Sequence, residues 1–215
     1  MVEGATAEEL ALAAELPPNR WPLGPDSPIE AWYMDDSDED QRLPHRLTPN
    51  QPCPAEALHA LGVRVWALDA DAYERGDPQL AAIRKVRGYS YEDRITITPE
   101  ALPNYEEKIK GFYQEHLHTD EEIRYVLEGS GYFDVRDLQE RWVRIWNKRG
   151  ALLVIPEGIY HRFTLDTGNS ITALRLFVGV PVWTPHNRPA EHVPSRSKYL
   201  ASLGGNVEAS AVLAA

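Results

Sequence analysis

The run His116-Leu117-His118-Thr119-Asp120-Glu121-Glu122-Ile123-Arg124-Tyr125-Val126-Leu127 decides how this chain is read. Side chains two apart on a strand share a face, so His116 and His118 can reach one ion. Glu122 has the same parity, but a straight strand would carry it ~20 Å from His116. The chain must therefore turn between them, and Thr119 and Asp120 bring turn chemistry to that point. The β-prone run Ile123 to Leu127 then reads as a return strand starting at Glu122, which predicts a hairpin. Further on, Ile155-Pro156-Glu157-Gly158-Ile159-Tyr160-His161 places a third imidazole just after a Pro-x-Gly turn.

Outward from this site, strands and turns alternate to Val178. Tyr132 to Arg136 follows a turn at Gly129-Ser130-Gly131, and Trp142 to Trp146, Ala151 to Ile155, Tyr160 to Leu165 and Ile171 to Val178 complete the series. Short, closely spaced strands without crossover helices favour an antiparallel barrel or sandwich, so the fold is expected to be mainly β with a few flanking helices. Upstream, Trp32-Tyr33-Met34 is β-prone. Three helices are readable: Pro54 to Leu61 ended by Gly62, a second opened by Asp77-Pro78 and stopped at Gly88, and Pro103 to Tyr113 leading into His116. Residues 1–29 read as a loosely attached, poorly ordered extension in which Thr6 caps a short helix to Leu16. The folded domain is expected over 30–200, and 201–215 as a tail whose Gly204 to Ala215 stretch is poorly ordered.

Composition narrows the partners. The chain has 215 residues, 43% of them hydrophobic, enough for one substantial core. A formal charge of -11 disfavours a surface for phosphate backbones or anionic lipid, so neither nucleic acid nor membrane is expected as a partner. No apolar run approaches the roughly 18 residues of a membrane span, and the N-terminus lacks a basic region followed by an apolar core. A single cysteine, Cys53, fits a reducing compartment and reads as a small apolar filler. These features suit a soluble, unsecreted protein.

Three imidazoles and one carboxylate, from His116, His118, Glu122 and His161, suit a borderline divalent transition ion. A structural zinc site would usually bring thiolates, and magnesium or calcium mostly oxygens. Iron(II), nickel(II) or manganese(II) in octahedral coordination would keep two adjacent positions open for a chelating substrate or dioxygen. Arg124 shares the parity of Glu122 and should face the same cavity. Arg175 interrupts the apolar strand Ile171 to Val178 and needs a fixed anionic partner, either in a structural ion pair or as a ligand at the metal. Phe163, two beyond His161, and Phe112, just before His116, read as core residues that could also wall an apolar pocket. Glu121 points away if the strand is regular and receives no role. His45, His59, His186 and His192 lack partners for a metal site and read as ordinary surface or core histidines.

At these residues the sequence resembles the acireductone dioxygenases of the cupin superfamily, in their eukaryotic form. The resemblance rests on Ala31-Trp32-Tyr33-Met34-Asp35-Asp36, Leu102-Pro103-Asn104-Tyr105-Glu106-Glu107-Lys108, Glu115-His116-Leu117-His118, the block from Glu122 through Gly129-Ser130-Gly131 to Asp137, and Pro156-Glu157-Gly158-Ile159-Tyr160-His161-Arg162-Phe163-Thr164. It extends through Arg175-Leu176-Phe177-Val178-Gly179 and Asn187-Arg188-Pro189-Ala190. It implies a cupin jelly-roll barrel in which His116, His118, Glu122 and His161 hold one Fe(II) or Ni(II) ion per monomer. It also implies the substrate, the enediol 1,2-dihydroxy-3-keto-5-methylthiopentene of methionine salvage; the physical reading of the residues adds Arg124 and Arg175 as candidates to stabilise its anionic oxygens. The resemblance further implies formate and 2-keto-4-methylthiobutyrate from the iron form, and formate, carbon monoxide and 3-methylthiopropionate from the nickel form. A monomeric enzyme of the cytoplasm, and also of the nucleus, follows from the same likeness. One departure is visible: many members have Gly-Asp where this chain has Gly150-Ala151. Other readings are a different cupin dioxygenase, a non-enzymatic cupin binding module, and an interaction protein whose N-terminal extension recruits a partner.

Overall fold

Two antiparallel sheets share one long strand, and the metal-ligand residues lie where the sheets meet. The first sheet runs β1 (Ile29–Tyr33), β6 (Trp142–Lys148), β5 (Glu122–Arg136), β8 (His161–Leu165), β4 (His116–Leu117) and β10 (His186–Asn187). The second is built on the front half of β5, in the order β2 (Arg64–Ala67), β7 (Ala151–Ile155), β5, β9 (Ile171–Phe177) and β3 (Tyr91–Ile97). The computed structural model describes residues 5–15, 17–20 and 26–211, with five helices around the sheets: α1 (Ala7–Glu15), α2 (Ala55–Ala60), α3 (Pro78–Arg87), α4 (Tyr105–Tyr113) and α5 (Pro194–Ala211). No helix among the described residues is long and apolar enough to cross a membrane.

Strand β5 corrects the turn expected at Gly129-Ser130-Gly131. The chain does not reverse there; it runs straight on, changing partners from β7 and β9 to β6 and β8 after a register shift between Val126 and Glu128. The glycines serve close approach: Gly129 has φ +69°, and a Cβ on it would sit 2.1 Å from the Ser170 carbonyl oxygen. No side chain fits there. The expected hairpin between His118 and Glu122 is likewise not formed. The chain turns, but β4 pairs with β8 and β10, while Glu122 opens β5 against Ile155 of β7. The turn thus carries the chain from one sheet to the other.

The centre of the second sheet is buried on both faces, which explains the unbroken apolar run of β7. Ile123, Tyr125 and Leu127 of β5, Leu152 and Val154 of β7, and Leu174 and Leu176 of β9 pack outward with Leu80 and Ile83 of α3. Their neighbours one residue along turn inward, among them Val126, Leu153 and Ile155 in the core between the sheets. Helix α3 is the one its sequence predicts: Asp77 caps it, accepting from the Gln79 amide at 2.8 Å, Pro78 opens it, and Gly88 ends it at φ +75°. In the first sheet a buried ion network replaces apolar contact. Arg144, fully buried, donates to both oxygens of Asp134 at 2.7 and 2.9 Å, and Arg162 adds a third bond at 2.9 Å.

Both ends of the chain are built in further than the sequence suggests. Thr6 and Glu9 bond each other's amides in a capping box at the start of α1, which lies against α3. Asn19 is tied to the body of the fold: its amide donates to the Ala55 and Val63 carbonyls, and its side-chain oxygen accepts from Val65. At the other end α5 continues to Ala211, through part of the stretch read as a poorly ordered tail, and buries Tyr199 and Leu203 in the core between the sheets. Residues 212–215 lie outside the described residues. Cys53 is buried, and burial pushes its thiol up to about 12, the behaviour of an inert filler.

Candidate metal centre

His116 and His161 face each other directly across β4 and β8, and His118 follows one residue past the end of β4. Leu117 between the two histidines points the other way, into a small cluster with Tyr160, Ala190 and Val193. That apolar anchor fixes which way the imidazoles turn. The three ring centres lie 4.5–5.4 Å apart. Glu122 approaches from the second sheet, with one carboxylate oxygen 3.2 Å from His161 Nε2 and 3.4 Å from His118 Nε2. The four donor atoms all lie within 4.8 Å of one another.

Each imidazole already has its other nitrogen engaged. His116 Nδ1 is 2.7 Å from the Gln114 carbonyl, His118 Nδ1 is 3.0 Å from that of Thr184, and His161 Nδ1 is 3.0 Å from that of Ile159. A carbonyl only accepts, so each Nδ1 carries a proton, and in the neutral ring each Nε2 is then left with the lone pair that a metal needs. Donors so close, with their tautomers fixed by backbone, fit a shared ion bonded at about 2.0–2.2 Å after small side-chain shifts. The charges are also arranged for one. Burial and the neighbouring His161 hold His116 down to about 4, so it stays neutral. Burial works against ionising Glu122, but Arg124, His118 and His161 outweigh it and keep the carboxyl well below its usual range. Burial pulls His118 down, but its bond and charge attraction to Glu122, with the Thr184 carbonyl, together outweigh burial and shift it upward.

The centre floors a cavity of about 820 Å³ between the sheets, bordered on one side by α4. Arg124 lines it as its parity requires. Its guanidinium lies 3.2 Å from the second oxygen of Glu122 and donates to the Ile123 carbonyl at 2.9 Å. Phe112 and Phe163 also line it, edge to face with centroids 6.2 Å apart, and Phe133 packs against Phe163 at 4.8 Å. Arg175 reaches the cavity too, but its guanidinium is gripped by Asp93 of β3, with Nε 2.6 Å from one oxygen and Nη2 on the other. Its plane lies 3.9 Å from the Trp183 ring centre. The structural ion pair weighed from sequence is therefore present, and it leaves Arg175 at the cavity wall with its charge compensated. Glu121 turns away, onto Arg87 and Tyr89. His45 is buried against Asp35 at 3.0 Å, a local turn contact.

Sequence reading missed three contributors. Trp183 lines the cavity from the loop after β9, and the next residue, Thr184, supplies the carbonyl that orients His118. No local pattern marks either. Asp93 was missed because β3 was not recognised, although the β-branched residues in Arg94-Ile95-Thr96-Ile97 are a strand signal.

Residues 30–185 match the model of the ARD/ARD' family. The chain is 60% identical to acireductone dioxygenase 2 of Vitis vinifera, over 82% of this chain and 88% of that one. It is 59% identical to the acireductone dioxygenase of Rattus norvegicus, over 82% of this chain and 98% of that one. Among solved structures, acireductone dioxygenase from Bacillus anthracis with a cadmium ion in its active centre aligns with a TM-score of 0.56 at 23% identity, covering 73% of this chain and 96% of that chain. That likeness shows the shared cupin fold.

Proposed function

This chain belongs to the ARD/ARD' family, and from that premise we propose that it cleaves acireductone with dioxygen above His116, His118, Glu122 and His161. The observation that carries this reading is the meeting of three imidazoles, each with its Nδ1 engaged by a carbonyl, with one ionised carboxylate at the floor of a cavity. Such a donor set suits Fe(II) or Ni(II), and the bound ion supplies a Lewis-acidic centre with positions open to the enediol oxygens.

The chain's own residues do the rest. Glu122 stays ionised beside Arg124, so the pair presents a fixed carboxylate to the ion and a fixed cation to the cavity. Arg124 is the group we assign to the anionic oxygens of the substrate, because its mostly buried charge lines the cavity beside Glu122. Arg175, already compensated by Asp93, holds Trp183 in the wall and adds its remaining N–H donors at the cavity surface. Phe112 and Phe163 receive the methylthio tail. All four donors come from one chain, which supports a monomeric enzyme, and a single species of monomer mass in size-exclusion chromatography is the expected result.

The test is product analysis of protein loaded anaerobically with one metal at a time. The iron form is expected to give formate and 2-keto-4-methylthiobutyrate, and the nickel form formate, carbon monoxide and 3-methylthiopropionate. Loaded protein that consumes no dioxygen in the presence of acireductone would overturn the assignment.

A further inference from the structure

Two glycines near the cavity contrast: Gly131 lies behind the Phe163 ring, whereas Gly111 lines the cavity itself. A Cβ on Gly131 would meet the Phe163 ring at 2.9 Å, so packing demands glycine there. Gly111 is different: a Cβ on it would meet nothing within 4 Å. It lies in the last turn of α4, before the cap residue Gln114, with ordinary helical backbone rather than the left-handed conformation that calls for glycine. Glycine is the poorest helix former after proline, so neither local structure nor packing accounts for it. Gly111 is exposed and lines the cavity beside Phe112, so a side chain there would stand in open space at the cavity's edge.

The size of the cavity points the same way. A methylthio acireductone has about ten non-hydrogen atoms, and at water's ~30 Å³ each it would fill roughly 300 Å³. The cavity offers about 820 Å³. The metal ligands and arginines fix the enediol end, so the surplus lies toward α4, where exposed Glu107, Lys108 and Lys110 line the cavity beside Gly111 and Phe112.

We propose that Gly111 leaves a gap in the α4 wall through which the site accepts acireductones with tails longer than methylthio. This rests on the acireductone reading above and specifies the substrate class of the same site. A chain running along the Phe112 and Phe163 rings would extend past Gly111 toward solvent, and a branched side chain at 111 would close that exit.

The experiment compares methylthio and propylthio acireductones on the iron-loaded wild type, Gly111→Ala and Gly111→Leu. Anaerobic titration of the same proteins, followed by tryptophan fluorescence, gives dissociation constants independent of turnover. For the wild type, kcat/KM for the longer substrate should stay within about threefold of that for the shorter one. In Gly111→Leu the ratio of longer to shorter should fall at least about tenfold, in binding as in turnover, with Gly111→Ala in between. Leucine and alanine are better helix formers, so neither variant should melt below the wild type. A wild type that discriminates more than tenfold against propylthio, or an unchanged ratio in both variants, overturns the proposal. A proportional loss on both substrates does so too. Failure of the wild type on methylthio acireductone would instead strike the functional assignment.

Discussion

Replacing Glu122 by Gln should destabilise the metal-free protein, because it strands a cation as well as removing a ligand. Arg124 and Glu122 lie 3.2 Å apart, with their side chains only 16% and 9% exposed. At an effective dielectric constant near 20 their attraction is about 5 kcal/mol. Removing one partner of such a pair typically costs about 3–5 kcal/mol, and glutamine's residual hydrogen bonding places the expected loss near 3. For a chain of this length that is roughly 6–12 °C in melting temperature. The carboxyl of Glu122 is held well below 4.5, so its contribution is fully present above that pH and is lost only as pH falls through the lowered value. Thermal unfolding at pH 7 after chelation therefore reads the full effect. The double variant Glu122→Gln with Arg124→Met removes the stranded charge and should recover most of the stability while still failing to bind metal. A single variant as stable as the wild type, or a double variant no more stable than the single, would refute the reasoning.

Three further outcomes follow from the same geometry. Asp134→Asn leaves the fully buried Arg144 and its neighbour Arg162 without their shared anion, and urea unfolding should show a loss of about 3–5 kcal/mol; a loss below about 1 kcal/mol would mean the network is relaxed by solvent. His118 is shifted upward and His116 down to about 4, so lowering the pH from 7 toward 5 protonates His118 while His116 stays neutral, and His118 must lose that proton to bind metal. Nickel titrations over that range should weaken by about tenfold per pH unit once His118 is protonated, and an affinity independent of pH would contradict this. Arg175→Ala frees Asp93 and removes the support of Trp183, so kcat/KM should drop at least about tenfold while metal content stays at one ion per chain; unchanged kinetics would take Arg175 out of the site.

The donor set could be read from sequence because it rests on strand parity, a local property. His116 and His118 share a face with Leu117 opposed, and Glu122 and Arg124 do the same on β5, so their directions follow from alternation alone. Pairing partners are not local, and here reading failed. Thr119 and Asp120 mark where the chain turns, but His116 finds His161 rather than the strand that follows the turn. Gly129 and Gly131 carry the same letters as a turn, yet they permit two backbones and a ring to approach within a continuous strand. Arg175 illustrates the limit in energetic form: its need for an anion was legible, whereas the choice between substrate and Asp93 depended on the register of β3 against β9. Trp183 and Thr184 owe their place to the path of a loop that no periodicity describes.

The most direct measurement is anomalous diffraction from crystals of the nickel-loaded protein, recorded at the nickel edge. One peak per chain is predicted, at about 2.0–2.2 Å from Nε2 of His116, His118 and His161 and from a carboxylate oxygen of Glu122. Each Nδ1 should remain on its carbonyl, with room left on the cavity side of the ion. A peak elsewhere in the molecule, or an ion fully enclosed by protein donors with no face toward the cavity, would contradict the account.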